Sequence, residues 1–110
     1  MANSFKNAGL TALVANTAAQ LYLCPADTQS VIHALYLSNV DGVSGSTVDI
    51  TVDDASNANA IYHIGKQISV PENSTLILDK PINLEAGDKL FVQASSDGDI
   101  EAFCSILEIT

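Results

Sequence analysis

The chain has 110 residues, 47% of them hydrophobic and only 15% charged, with four Lys, no Arg and a formal net charge of −9. That much apolar material excludes whole-chain disorder and suffices for one domain with a real core. The charge balance excludes attraction to nucleic acid or to an anionic membrane surface, because both are polyanions.

In chain order, Ala8 to Ala15 is apolar and follows Lys6, but Gly9 and Thr11 interrupt it and its flanks are Asn and Ser. It reads as an N-terminal strand or arm rather than a signal peptide. No apolar run approaches the roughly 18 residues of a membrane span. Residues 1–19 are accordingly assigned to an extended N-terminal arm and residues 20–110 to a β-sandwich domain. Gln20 to Cys24 is a short strand stopped by Pro25. Val31 to Val40 is the longest apolar run and predicts a central strand, and Gly42 to Gly45 reads as a hairpin loop.

Thr47 to Asp53 alternates without a fault, with Val48, Ile50 and Val52 on one face and Thr47, Asp49, Thr51 and Asp53 on the other. A strand requires this pattern, since successive side chains point to opposite faces. Ala60 to Ile64 and Gln67 to Val70 flank Gly65, which marks a bulge or bend. Pro71, Glu72 and Asn73 turn the chain into Thr75 to Leu78. Lys89 to Ser95 and Ile100 to Ile109 close the sequence, and Asp97-Gly98 between them reads as a hairpin turn. No stretch carries helical periodicity. Seven or eight short strands with regularly spaced turns predict an all-β fold: a single antiparallel β-sandwich of jelly-roll or Greek-key topology.

The alternation also yields a core. Val31, Leu35, Leu37, Val48, Ile50, Val52, Ile68, Leu76, Leu78, Leu84, Leu90, Val92, Ala102, Cys104 and Ile106 are expected inside. Ile32, Tyr36, Phe91, Phe103, Leu107 and Ile109 fall on the opposite parity, and Phe5, Leu10, Leu13 and Val14 lie in the arm. This surplus exceeds what a small two-sheet core holds, and exposed apolar material of that extent marks an interface. Phe5, Leu10, Leu13, Val14, Tyr36, Phe103, Leu107 and Ile109 are the expected interface residues.

Signals for chemistry are weak. There is no Gly-x-Ser-x-Gly elbow, no phosphate-binding glycine loop and no clustered metal-ligand spacing around His33 or His63. Cys24 and Cys104 stand 80 residues apart. They either pair, tying the start of the domain to its last strand, or serve as small buried hydrophobes. Asp97 and Asp99 share a tight turn that suits either solvent or calcium, without EF-hand spacing. Asn73-Ser74-Thr75 matches a glycosylation acceptor and equally a turn. No catalytic residue, cofactor or metal is assigned, and the chain reads as a non-enzyme.

Several segments in order carry a resemblance. They are Leu21-Tyr22-Leu23-Cys24-Pro25-Ala26-Asp27, Val31 to Asn39, Thr47 to Val52, Ile68-Ser69-Val70-Pro71 with Thr75-Leu76, Leu84-Glu85-Ala86-Gly87-Asp88-Lys89-Leu90 and Ile106 to Ile109. Together, over about residues 20 to 110, they resemble the small β-sandwich virion proteins of tailed bacteriophages. The resemblance implies a structural role, foremost as a capsid decoration or cement protein. Such a protein would be made in the bacterial host cytoplasm and sit on the capsid exterior. It would bind the major capsid protein of the phage head and self-associate as a homo-oligomer, typically a trimer, with the arm gripping neighbours. A neck, tail or baseplate protein is the first alternative and a cell-surface carbohydrate-binding module the second.

Overall fold

Strand periodicity governs the chain throughout. In the computed structural model, which describes residues 2–110, the strands are β1 (Asn3–Leu10), β2 (Ala19–Leu23), β3 (Gln29–Asn39), β4 (Ser46–Asp54), β5 (Ala60–Val70), β6 (Thr75–Leu78), β7 (Ile82–Leu84), β8 (Lys89–Ala94) and β9 (Ile100–Ile109), with one 3-10 turn at Ala55–Asn57. A front sheet is ordered β1-β9-β3-β6, with β7 also on β3, and a back sheet β2-β8-β4-β5. Every pairing between strands is antiparallel. The fold is the expected all-β antiparallel sandwich, with the sheet-to-sheet alternation of a jelly roll.

The strand count exceeds the expected seven or eight for two reasons. Asn3–Leu10, expected to extend as an arm, lies along β9 as an edge strand from Asn3↔Ile109 to Leu10↔Ala102. A main-chain ladder needs no apolar alternation, so composition did not reveal it. The second addition, β7, continues β6 along β3 after a break at residues 79–81, where Pro81 cannot donate to a ladder.

Two turns expected as hairpins instead cross between the sheets. Residues 42–45 carry β3 of the front sheet into β4 of the back sheet, and residues 96–99 carry β8 of the back sheet into β9 of the front. Gly98, at φ 75, still makes the tight reversal that its sequence announces. Turn chemistry fixes the local reversal; burial of the apolar faces decides which strand becomes the neighbour. Ala60–Val70 is likewise one strand rather than two, kinked by register shifts against β4. Gly65 at that kink leaves room for the Ile68 side chain, which would have to move if a Cβ stood there, 2.3 Å from its Cδ1.

The core lies between the inner faces: Leu35, Leu37, Val48, Ile50, Leu84, Leu90, Val92, Ala102, Cys104 and Ile106 are buried as expected. Val52, Ile68, Leu76 and Leu78 pack against it half-buried. One expectation is reversed. Ile32 is buried and Val31 faces outward, because the β3–β9 register shifts between Ile32 and Ala34. His33 is the extra residue, and a one-residue bulge exchanges the faces of everything before it. Leu13, Leu21, Cys24, Val70, Ala94 and Ile100 complete the core.

Candidate protein interface

The outward parity of the front sheet gathers apolar side chains from four strands. β9 sets the rows, since Glu101, Phe103, Ser105, Leu107 and Ile109 alternate with its buried residues. Phe5 and Val31 flank Leu107, while Gly9 and Tyr36 flank Phe103 and Ile77 lies beyond Tyr36. Asn7, Ser105 and Ala34 form the row between, and Asn3, Ile109 and Gln29 the row at one end. Phe5 is 83% exposed, Ile77 53% and Phe103 45%. Glu101 is the one charge in these rows. Its neighbour Ser38 bonds Thr75 side chain to side chain at 3.0 Å, closing the polar rim. A Cβ on Gly9 would lie in ordinary contact with Phe103 Cδ1 at 3.4 Å and tight against Ala102 O at 3.3 Å.

This face collects Phe5, Tyr36, Phe103, Leu107 and Ile109 from the expected interface set. The remaining three lie elsewhere. Leu10 is half-buried on the inner side of β1, and Val14 is exposed in the β1–β2 connection. Leu13 is a core residue at 3% exposure and offers nothing to a surface. Period-two parity cannot place a residue that lies outside a strand, and Leu13 sits in a connection. Val31 and Ile77 belong to the face and were missed. The bulge at His33 concealed Val31, whereas strict alternation around Leu76 and Leu78 could have found Ile77.

Behind the face, at one end of the sandwich, sits a buried polar chain. The Tyr22 hydroxyl donates to Glu108 Oε2 at 2.5 Å and lies 2.7 Å from Ser30 Oγ, which in turn stands 3.2 Å from Cys24 Sγ. Lys6 Nζ lies 3.5 Å from Glu108 Oε1. Burial, and then the Glu108 carboxylate, push the Tyr22 phenol well above its ordinary value. Burial also raises the Cys24 thiol, and it pushes Cys104 up to about 11. Both cysteines are free and buried. A raised thiol pKa leaves them protonated at neutral pH and poor nucleophiles. His33 and His63 are exposed on different sheets and do not meet.

Carboxylates elsewhere bind the chain's own backbone. Asp97 Oδ1 accepts from Ala15 N at 2.6 Å. Asp54, Glu85 and Asp88 bring one oxygen each within 4.8 Å of one another beside a cleft of about 620 Å³. Asp88 accepts from Ala55 N at 2.9 Å and from Glu85 N at 2.8 Å, and Asp54 from Ser56 N at 3.1 Å. The Asp88–Ala55 bond fastens the β4–β5 and β7–β8 turns to each other, and the other two brace each turn from within.

The sequence matches no protein-family model and no curated protein. The fold has counterparts among solved structures. A chain of the acid-stable capsid of Helicobacter pylori bacteriophage KHP30 aligns over 100% of this chain and 89% of its own, at 10% identity and TM-score 0.59. A chain of the Bacillus endospore appendages, a family of disulfide-linked pili, aligns over 98% and 88%, at 16% identity and TM-score 0.57. A chain of the infectious bursal disease virus T13 particle aligns over 96% of this chain and 30% of its own, at 10% identity and TM-score 0.59. At such identities the likeness is one of fold.

Proposed function

We propose that this chain is a non-enzymatic virion structural protein that decorates the exterior of a phage head and cements neighbouring capsid subunits. The observation that carries this reading is the front-sheet face, where Phe5, Val31 and Leu107 line one row and Tyr36, Ile77 and Phe103 another, with only the small uncharged row of Asn7, Ser105 and Ala34 between them and Glu101 as the one charge. An exposed apolar surface with a polar rim is the anatomy of a protein interface. The fold likeness to a phage capsid chain supports the setting. A net charge of −9 suits the outside of a particle, where packaged DNA exerts no attraction. The mechanism is geometric. A rigid sandwich, self-associated as a homo-oligomer such as a trimer, presents several copies of the face at once, and weak contacts to the major capsid protein add through multivalency.

Quantitative mass spectrometry of purified particles tests the reading. Copies near-equal to the major capsid protein are expected. A few copies per particle would shift the role to neck, tail or baseplate. Absence from particles would overturn the virion reading, and recovery of the chain in extracellular fibres would replace it with the fibre role that the pilus likeness suggests.

A further inference from the structure

β1 is a weakly buried edge strand at the start of the front sheet. It has one neighbour, β9, and residues 2–7 are exposed. Only Ala8 and Leu10 reach the core, both partly buried. Its hold is therefore the main-chain ladder, two bonds between Ala2 and Thr110 at 3.2 and 2.9 Å, and the Lys6–Glu108 contact. Among the described residues that contact is the one ion pair.

Directly after β1 the chain is anchored a second time, independently. Leu13 is buried, its N–H donates to Ile100 O at 3.2 Å and its carbonyl accepts from Gly98 N at 2.9 Å. Asn16 N donates to Ala94 O at 2.7 Å, and the Ala15 N–H reaches Asp97. Thr11 and Ala12 join the two attachments. Ala12 sits at φ 52, a left-handed conformation that a residue with a Cβ adopts at a cost. Rotating Ala12 to extended backbone relieves that strain and swings β1 off the body while the Leu13 anchor stays in place. The freed strand of eight residues reaches about 27 Å.

The edge it vacates is shaped for the strand that left. β9 would expose a row of unpaired backbone groups, a known template for another chain. The β9 backbone at Ala102 O favours a small residue opposite Phe103, where Gly9 lies, and Glu108 offers a carboxylate to a lysine, as Lys6 shows. A second copy of β1 offers both features in the same register.

We propose that β1 is an exchangeable strand: pivoting at Ala12, it leaves its own β9 and pairs with β9 of a second copy, linking copies of this chain. Two copies exchanging reciprocally close a dimer, and successive exchange closes a ring. This deepens the assembly reading above and rests on it for its biological setting. The test uses purified protein alone, so its outcome is independent of whether a capsid is the partner.

Asn7 and Ser105 face each other across the β1–β9 ladder. Copies carrying Asn7→Cys are mixed with copies carrying Ser105→Cys, incubated, oxidised and resolved on a non-reducing gel. Exchange between copies sets these two thiols in ladder register, whereas collision or face-to-face contact would give homodimers of either variant in comparable yield, and the native cysteines are buried. A covalent heterodimer is expected. Its yield should rise several-fold when both partners carry Ala12→Pro, whose ring forbids positive φ. It should fall below the wild-type level with Ala12→Gly, which makes the home conformation unstrained. Absence of the heterodimer from the wild-type-hinge mixture and from the folded Ala12→Pro mixture would overturn the proposal. Should Ala12→Pro fail to fold, the comparison of wild type with Ala12→Gly still decides, and equal yields would overturn it.

Discussion

The two outer faces of the sandwich share one backbone geometry and differ in what they show to water. The back face carries Thr47, Asp49, Thr51 and Asp53 on β4, with Lys89, Phe91 and Gln93 beside them on β8. The front face carries Val31 and Tyr36 on β3, Phe103 and Leu107 on β9 and Ile77 on β6. An antiparallel sheet with one solvated face ordinarily alternates apolar-in and polar-out, as the central back strand β4 does, while Leu23 and Ile61 stand exposed only on the edge strands of that sheet. Only the inner parity must be apolar for the sandwich to fold. Apolar residues on the outer parity of the front sheet serve something other than this chain's own core.

The sharpest way to break that comparison is to truncate adjacent residues of β3 that point opposite ways. Leu35→Ala, on the inner side, should lower unfolding stability by about 2–5 kcal/mol in urea titration. Tyr36→Ala, on the outer side, should cost about 1 kcal/mol or less. Comparable losses would mean that the front face is part of the core after all. Next in size is attachment. Phe103→Asp should weaken binding to the assembly partner by about 30-fold, equivalent to about 2 kcal/mol, measured by co-sedimentation. Thr51→Asp on the back face should leave co-sedimentation unchanged, and a matching loss there would erase the distinction between the faces.

A smaller effect probes the layer directly behind Phe103. Burial pushes the Cys104 thiol from 9.0 to about 11, so the folded chain keeps a proton that the unfolded chain loses. Stability from this group is complete below about pH 9 and declines as pH rises toward 11, by about 2 kcal/mol in total. Cys104→Ala should remove that part of the alkaline decline in thermal unfolding scans. A decline unchanged by the substitution would assign it to other groups.

Where side chains alternate without interruption, the sequence was a sufficient guide. Thr47 to Asp53 alone implied a strand with one buried face, and Val48 and Ile50 are buried accordingly. The four expected interface residues on β3 and β9, Tyr36, Phe103, Leu107 and Ile109, fall on a common face by parity alone. What escaped was what parity does not encode. The bulge at His33 moved Val31 outward and Ile32 inward. The pairing of β1 with β9 rests on main-chain hydrogen bonds between the two ends of the chain, which no local pattern announces. Leu13 is anchored by the Ile100 carbonyl and the Gly98 amide, contacts set by the crossing of β8 into β9.

The β1–β9 pairing has a consequence for synthesis. β1 is made before its partner, with about 90 residues of translation between them, roughly 5–20 s at usual elongation rates. The front sheet cannot close until β9 leaves the ribosome, and neighbouring nascent chains on one messenger present the same unpaired strand throughout that interval. Non-local closure of this kind also slows folding, because the ends must meet before the ladder contributes anything. Expression level and ribosome spacing thereby become determinants of whether a copy closes on itself or on its neighbour.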